Sequence, residues 1–391
     1  MKYNFDEMID RKNTNSLKYD FAVERNKPAD VLPLWVADMD IKTPLEVREA
    51  LKKSAEHGIF GYSDVKLEYF HTLHTWFKTN FAWDTKPEWL VKTPGVVFAI
   101  CTAIRALTEK GDAVLIQRPV YYPFSFSIKD NERKLVNNPL VYKNGQYEID
   151  FADFEQKIID NQVKLFILCS PHNPVGRVWT KEELLKLGDI CLKHNVIVVA
   201  DEIHEEFIYE GFQHHVFANL KPEFNDITIT CTAPSKTFNL AGLQVSNIFI
   251  ANASIRHQFK KAMDRTGYCE SNAMGLVACQ AAYTYGRDWL DQLKTYLSEN
   301  LAFTRTFLAE KIPQIKLVEP QGTYLIWLDC SGLHLSDKDL EDLIVNKAKL
   351  WLDAGTMFGS EGSGFERINI TCPRKTLEKA LLQLEKAVNE L

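Results

Sequence analysis

The sequence predicts an α/β fold: a large domain on a mainly parallel central sheet, then a smaller C-terminal α/β domain. Three observations predict it. Ala113–Gln117, Lys164–Cys169, Val196–Ala200 and Ile227–Cys231 are short and rich in Val, Ile, Leu and Phe. Strands that read as apolar along their whole length suit a sheet covered on both faces. Helix-type patterns separate these segments, as βαβ units require. From about residue 285 the pattern changes to long helical periodicities around one strand-like segment, GTYLIWLDC.

The elements follow in order. FAICTAIRAL reads as a helix behind the turn Thr93–Val97. Thr180 with Glu183 is a capping-box signature, and the helix behind it ends near His194–Asn195. Trp289–Ile312 is a long helix with Leu290, Leu293, Leu297, Leu301 and Leu308 on one face. Leu377, Leu381, Leu384, Val388 and Leu391 repeat that spacing at the C-terminus. The expected organisation is an N-terminal arm over 1–45 that packs with the small domain, a large domain over 46–284 and a small domain over 285–391.

Composition narrows the function. The 391 residues are enough for two domains. A net charge of 46 − 52 = −6 gives no general attraction to nucleic acid or anionic membranes. No apolar run approaches a membrane span, and the N-terminus has no apolar signal-peptide core. These features predict a cytoplasmic protein with no nucleic-acid or membrane partner. The eight cysteines form no C-x-x-C pair and mostly lie in apolar contexts, so they read as reduced core thiols.

In open parallel sheets, ligands bind at the carboxyl ends of the strands. The residues there form an unusual set. Asn173 follows one strand in CSPHNPVGRVW, and Asp201 ends another before EIHEEF. Ser235 and Lys236 follow a third in TCTAPSKTF, and Arg367 lies in ERINITCPR. A lysine behind a buried strand, among small and hydroxyl residues, suits a Schiff-base amine whose pKa is lowered by desolvation. Such a lysine points to pyridoxal 5′-phosphate. Asp201 then balances the protonated pyridine nitrogen, and Asn173 is placed to donate to the phenolate oxygen. Tyr121, in RPVYYPF, is an aromatic that can stack on the ring. The N–H groups of Gly95, Val96 and Val97 at a helix start, with the Thr232 and Ser235 hydroxyls, suit the phosphate. Arg367 offers a bidentate fork for a substrate carboxylate.

The order N-P-x-G, D-E, S-K-T-F and a late arginine resembles the fold-type-I pyridoxal-phosphate enzymes, the aspartate aminotransferase superfamily. More narrowly, DRKNTNSLKYD, PLWVADMD, TPGVVFAI, SPHNPVGRVW, DEIHEEF, APSKTFNLAGLQ and RINITCPR resemble the MalY/PatB group of cystathionine β-lyases. The resemblance spans nearly the whole chain. It implies that Lys236, Tyr121 and Asp201 are catalytic, and that Asn173, Tyr121 and Arg367 bind substrate. It implies cofactor contacts from the residues above, together with His204, three residues after the aspartate. It further implies a homodimer with shared active sites, in which Tyr62 reaches the neighbouring subunit. Where typical aminotransferases carry a phosphate-binding arginine, eight residues after the lysine, this chain has Gln244. That departure favours the C–S lyases.

The expected reaction is α,β-elimination on L-cystathionine and related cysteine S-conjugates. The rivals are an aminotransferase and a non-enzymatic regulator on the same fold. The chain opens on the arm-like segment, so no fused helix-turn-helix domain is expected. No metal is expected either. An H-E-x-x-H motif would need histidine where Ile208 stands, and neither His71/His74 nor His214/His215 is expected to have a thiolate or carboxylate set nearby.

Overall fold

A computed structural model describes residues 2–391. Its large sheet has seven strands in the order Leu90–Thr93, Ser246–Phe249, Thr228–Thr232, Ile197–Asp201, Leu165–Cys169, Ala113–Ile116 and Lys134–Asn137. The pairings among the last five are parallel. Ser246–Phe249 runs antiparallel to both its neighbours. The four predicted strands are all present, within one residue of their expected ends.

Why these strands are apolar throughout is visible in the core. Leu115, Phe166, Leu168, Val198 and Ala200 face the helices Phe151–Asn161 and Lys181–Lys193. Their alternates Val114, Ile116, Ile167, Val199 and Ile229 face Val96–Leu107 and Ala253–Asp264. Successive strand residues point to opposite faces, so a two-sided core leaves few polar positions, with Thr228, Thr230 and Thr232 as buried exceptions in one strand. The expected capping box is present, with Thr180 and Glu183 exchanging bonds across the first turn of Lys181–Lys193.

The smaller sheet is antiparallel, in the order Lys316–Val318, Leu325–Asp329, Phe365–Asn369 and Asp353–Ala354. Helices Arg287–Lys311 and Arg374–Asn389 pack with it, close to the ranges their leucine spacing predicts. The arm strand Leu32–Pro33 pairs in parallel with Leu350–Trp351. The chain then runs from Leu34 to Asp40 between the two sheets. All eight cysteines are free, six of them buried, with Cys101 half-buried and Cys269 exposed. No helix among the described residues is long and apolar enough to cross a membrane.

Candidate active site

The carboxyl ends of the parallel strands open on a cavity of about 200 Å³. Lys236 lies on a one-turn helix, Pro234–Thr237, directly after the strand that ends at Thr232. Its Nζ donates to the carbonyl of Ala37 at 2.9 Å, which also accepts the Tyr324 hydroxyl at 3.1 Å. Burial pulls the amine down from its ordinary 10.5 to about 8. Asp38 opposes that shift, and Arg367 adds to it.

Asp201 ends the strand Ile197–Asp201 at the floor of the cavity. One carboxylate oxygen accepts the Ile203 N–H at 3.2 Å. Burial pushes this acid up to about 7, while that hydrogen bond and Lys236 pull it down. An acid raised in this way gains from a cationic partner beside it. His204 is buried in the same wall, with its ring edge-on to Tyr324 at 5.6 Å. Burial holds its pKa down at about 3, so the ring is neutral, and Nδ1 has no partner.

Tyr121 and Asn173 form the opposite wall. The Tyr121 N–H donates to the Asn173 carbonyl at 3.0 Å, which ties the two segments together. The turn behind Asn173 needs glycine at 176. Its φ is +72°, and a Cβ there would meet the Pro320 Cβ at 2.9 Å. The Gly176 carbonyl accepts the N–H groups of Gln321 and Gly322, which joins this wall to the smaller sheet.

Gly95, Val96 and Val97 line the cavity at the start of helix Val96–Leu107. The first N–H groups of a helix have no partner within it and favour an anion. Ser235 is beside them. Thr232 is not. Its hydroxyl is buried and donates to the Asn247 carbonyl at 2.8 Å, so the sheet has already used the group expected to meet the phosphate. Ser246 lines the cavity instead. Sequence reading missed it because Ser246 opens an antiparallel strand, whereas the candidate residues were sought after the ends of strands. Among the described residues lining the cavity, Lys236 is the only lysine or arginine. Gln244 is exposed and lines a neighbouring hollow with Phe60 and Tyr62. Tyr62 itself is 95% exposed, outside this chain's cavity.

Arg367 is 2% exposed and already partnered. One guanidinium nitrogen donates to the Asn173 side chain at 3.1 Å. The other donates to the Trp35 carbonyl at 2.8 Å and forms an ion pair with Asp353, its cross-strand neighbour. The Nε has no partner. Sequence reading did not find Asp353. Its only signal was an acid in a strand-like run, WLDAG, 14 residues before the arginine.

One expectation needs correcting. His214 does have carboxylates beside it, since the loop after Asp201 brings Glu202 and Glu205 onto its ring. Glu202 and His214 stand 12 positions apart, and that separation hides their proximity in the sequence.

The family described as aminotransferase class I and II matches residues 29–384. The chain belongs to this family. Within it, the chain is 44% identical to cystathionine beta-lyase PatB of Bacillus subtilis, over 99% of this chain and all of that one. It is 33% identical to the protein MalY of Escherichia coli, over 99% of both. Among solved structures it is similar to cystalysin from Treponema denticola, which contains a pyridoxal 5′-phosphate cofactor. That comparison has a TM-score of 0.97 and 41% identity, and covers the whole of both chains. The family's fold is thus the one predicted from the strand and helix pattern.

Proposed function

We propose that this chain is a pyridoxal 5′-phosphate-dependent C–S β-lyase. It acts on L-cystathionine and related cysteine S-conjugates to give a thiol (homocysteine from cystathionine), pyruvate and ammonia. The observation that carries the reading is a lysine of lowered pKa facing a buried carboxylate across one cavity, with a helix start at its edge. PatB, a full-length relative at 44% identity, is named a cystathionine beta-lyase.

The residues divide the work. Lys236 would anchor the cofactor, and Asp201 would hold a proton on its ring nitrogen. Asn173 would donate to its phenolate oxygen, and Tyr121 and His204 line the cavity that would hold its ring. Gly95, Val96, Val97, Ser235 and Ser246 receive the phosphate. Arg367 and Asn173 orient the substrate carboxylate. When bound, the cofactor supplies an electron sink for negative charge at the substrate α-carbon. Lys236 would take the α-proton as general base. The thiolate then leaves from Cβ, and the released aminoacrylate hydrolyses to pyruvate and ammonia.

The enzyme works in the cytoplasm as a homodimer whose subunits complete each other's sites through Tyr62. Ile59, Phe60 and Tyr62 are 72, 67 and 95% exposed in one short segment, an apolar edge that a second copy would cover.

An assay with cystathionine alone tests the reaction. Pyruvate forms with no keto-acid acceptor present. Turnover only after an acceptor is added would instead establish transamination.

The lysine also sets a pH dependence. Only the neutral amine attacks an aldehyde. At pH 8 about half of Lys236 is neutral, against about 1 in 300 for an unshifted lysine. Uptake of pyridoxal phosphate by the apoprotein, followed by absorbance, therefore rises from pH 6 and levels off above about 8. A rise that continues unbroken to pH 10 would show that burial does not tune this amine.

A further inference from the structure

The loop after Asp201 carries a buried cluster that the lyase chemistry does not use. Glu202, Glu205 and His214 are 0, 2 and 5% exposed. A turn closed by the Glu205 N–H on the Glu202 carbonyl, at 2.9 Å, brings the two carboxylates together. One nitrogen or oxygen from each of the three side chains lies within 4.8 Å of the other two.

Two of these groups are held in place. Glu202 Oε1 accepts the Phe217 N–H at 2.9 Å, which fixes the carboxylate and turns Oε2 toward His214. The distance from that Oε2 to His214 Nε2 is 3.2 Å. Donor atoms about 2.1 Å from a shared ion stand roughly 3.0 Å apart in an octahedral site and 3.4 Å in a tetrahedral one. The observed edge falls between these values. The Phe81 ring packs edge-on against His214 at 5.5 Å and keeps water from that side.

Glu205 is the anomaly. Its Oε2 is buried with no hydrogen-bond partner. The next residue, Glu206, differs, since it accepts the Trp76 indole N–H at 2.5 Å. A carboxylate taken out of water without a donor is strongly destabilising and must be neutralised, by a proton or by a cation. A proton would make Glu205 a donor in need of its own acceptor. A divalent cation would take one donor atom from each of the three side chains and give Glu205 Oε2 its missing partner, leaving only His214 Nδ1 unpaired, and the two carboxylates match its charge.

We infer that Glu202, Glu205 and His214 form a binding site for a divalent transition-metal ion, of the zinc or manganese class, beneath the cofactor cavity. The ligand set decides the class, because imidazole with carboxylates and no thiolate suits these ions. The ion ties the turn after Asp201 to the segment 214–217, and so braces the strand end that carries the ring-nitrogen partner. Its role is structural and does not depend on which amino acid the enzyme cleaves.

The test uses the holoenzyme produced in medium supplemented with zinc or manganese, then gel-filtered into metal-free buffer. Mass spectrometry is expected to find about one ion per chain, retained because binding is coupled to folding. X-ray absorption at the metal edge is expected to show only nitrogen and oxygen neighbours, at about 2.0–2.2 Å. Glu205→Gln is expected to lose the ion and keep the bound-cofactor absorbance. Chelation should lower the melting temperature of the unaltered enzyme and leave that of the variant unchanged. Unaltered enzyme without metal under both supplements, sulfur in the metal's shell, or full metal content in Glu205→Gln would each overturn the inference. A variant more stable than the unaltered enzyme, with neither holding metal, would show that Glu205 carries a proton instead. If Glu205→Gln does not fold, the metal content and absorption spectrum of the unaltered enzyme decide the matter.

Discussion

Lys236→Ala abolishes pyruvate formation from cystathionine, by at least about 10⁴-fold, the upper end of what a positioned general base contributes. It also removes the cofactor's visible band near about 420 nm, which needs the bond to the lysine. The loss should be chemical and not structural. The Nζ makes one hydrogen bond, to the Ala37 carbonyl, and Ala37 keeps the Tyr324 hydroxyl when the amine is gone. Alanine also suits the one-turn helix Pro234–Thr237. The melting temperature of the apoprotein should therefore stay within a few degrees of the unaltered chain. Retained activity would end the proposal that Lys236 is the base. The same variant separates the enzyme from a regulator on this fold, because a function carried by the surface alone would survive it.

Arg367→Leu has the second-largest effect, and it acts twice. The guanidinium and Asp353 are both buried and ion-paired across two strands. Removing the cation leaves Asp353 uncompensated, at a cost of about 3–5 kcal/mol in stability. The same change removes the fork for the substrate carboxylate. Two charge-assisted hydrogen bonds lost from the bound substrate lower kcat/KM by about 30- to 10³-fold, or about 2–4 kcal/mol. The double variant Arg367→Leu with Asp353→Leu separates the two roles. It should recover most of the lost stability, because neither charge remains, and none of the lost kcat/KM. Asp353→Asn alone keeps the arginine and its bonds to Asn173 and Trp35. It should therefore weaken the fold without raising KM. Thermal unfolding and steady-state kinetics on the three variants check this. A full return of kcat/KM in the double variant would remove Arg367 from the substrate site.

How far the sequence could be read differs by feature. The strands were legible because a two-sided core favours apolar residues at most positions, a local property of short runs. The long helices were legible from leucine spacing, and the start of Lys181–Lys193 from its capping box. Lys236, Asp201 and Asn173 were legible because a parallel sheet gathers whatever follows its strands. Ser246 escaped, since its strand is antiparallel and lacks that signature. Thr232 was misread, because strand pairing with Asn247 decides whether a hydroxyl is free.

The sequence by itself therefore determined the layered α/β architecture and the chemical identity of most of the polar groups that line the cavity. Only the tertiary structure decided which of them are free to act. The Lys236 amine rests on a carbonyl 199 residues away, and Arg367 reaches one 332 residues away. The Asp353 ion pair depends on strand register, and the Glu202–Glu205–His214 cluster on how one loop turns back. Local patterns record each residue's own burial and backbone preference. Pairings across the fold are set by packing between distant segments, and no short stretch of sequence carries them.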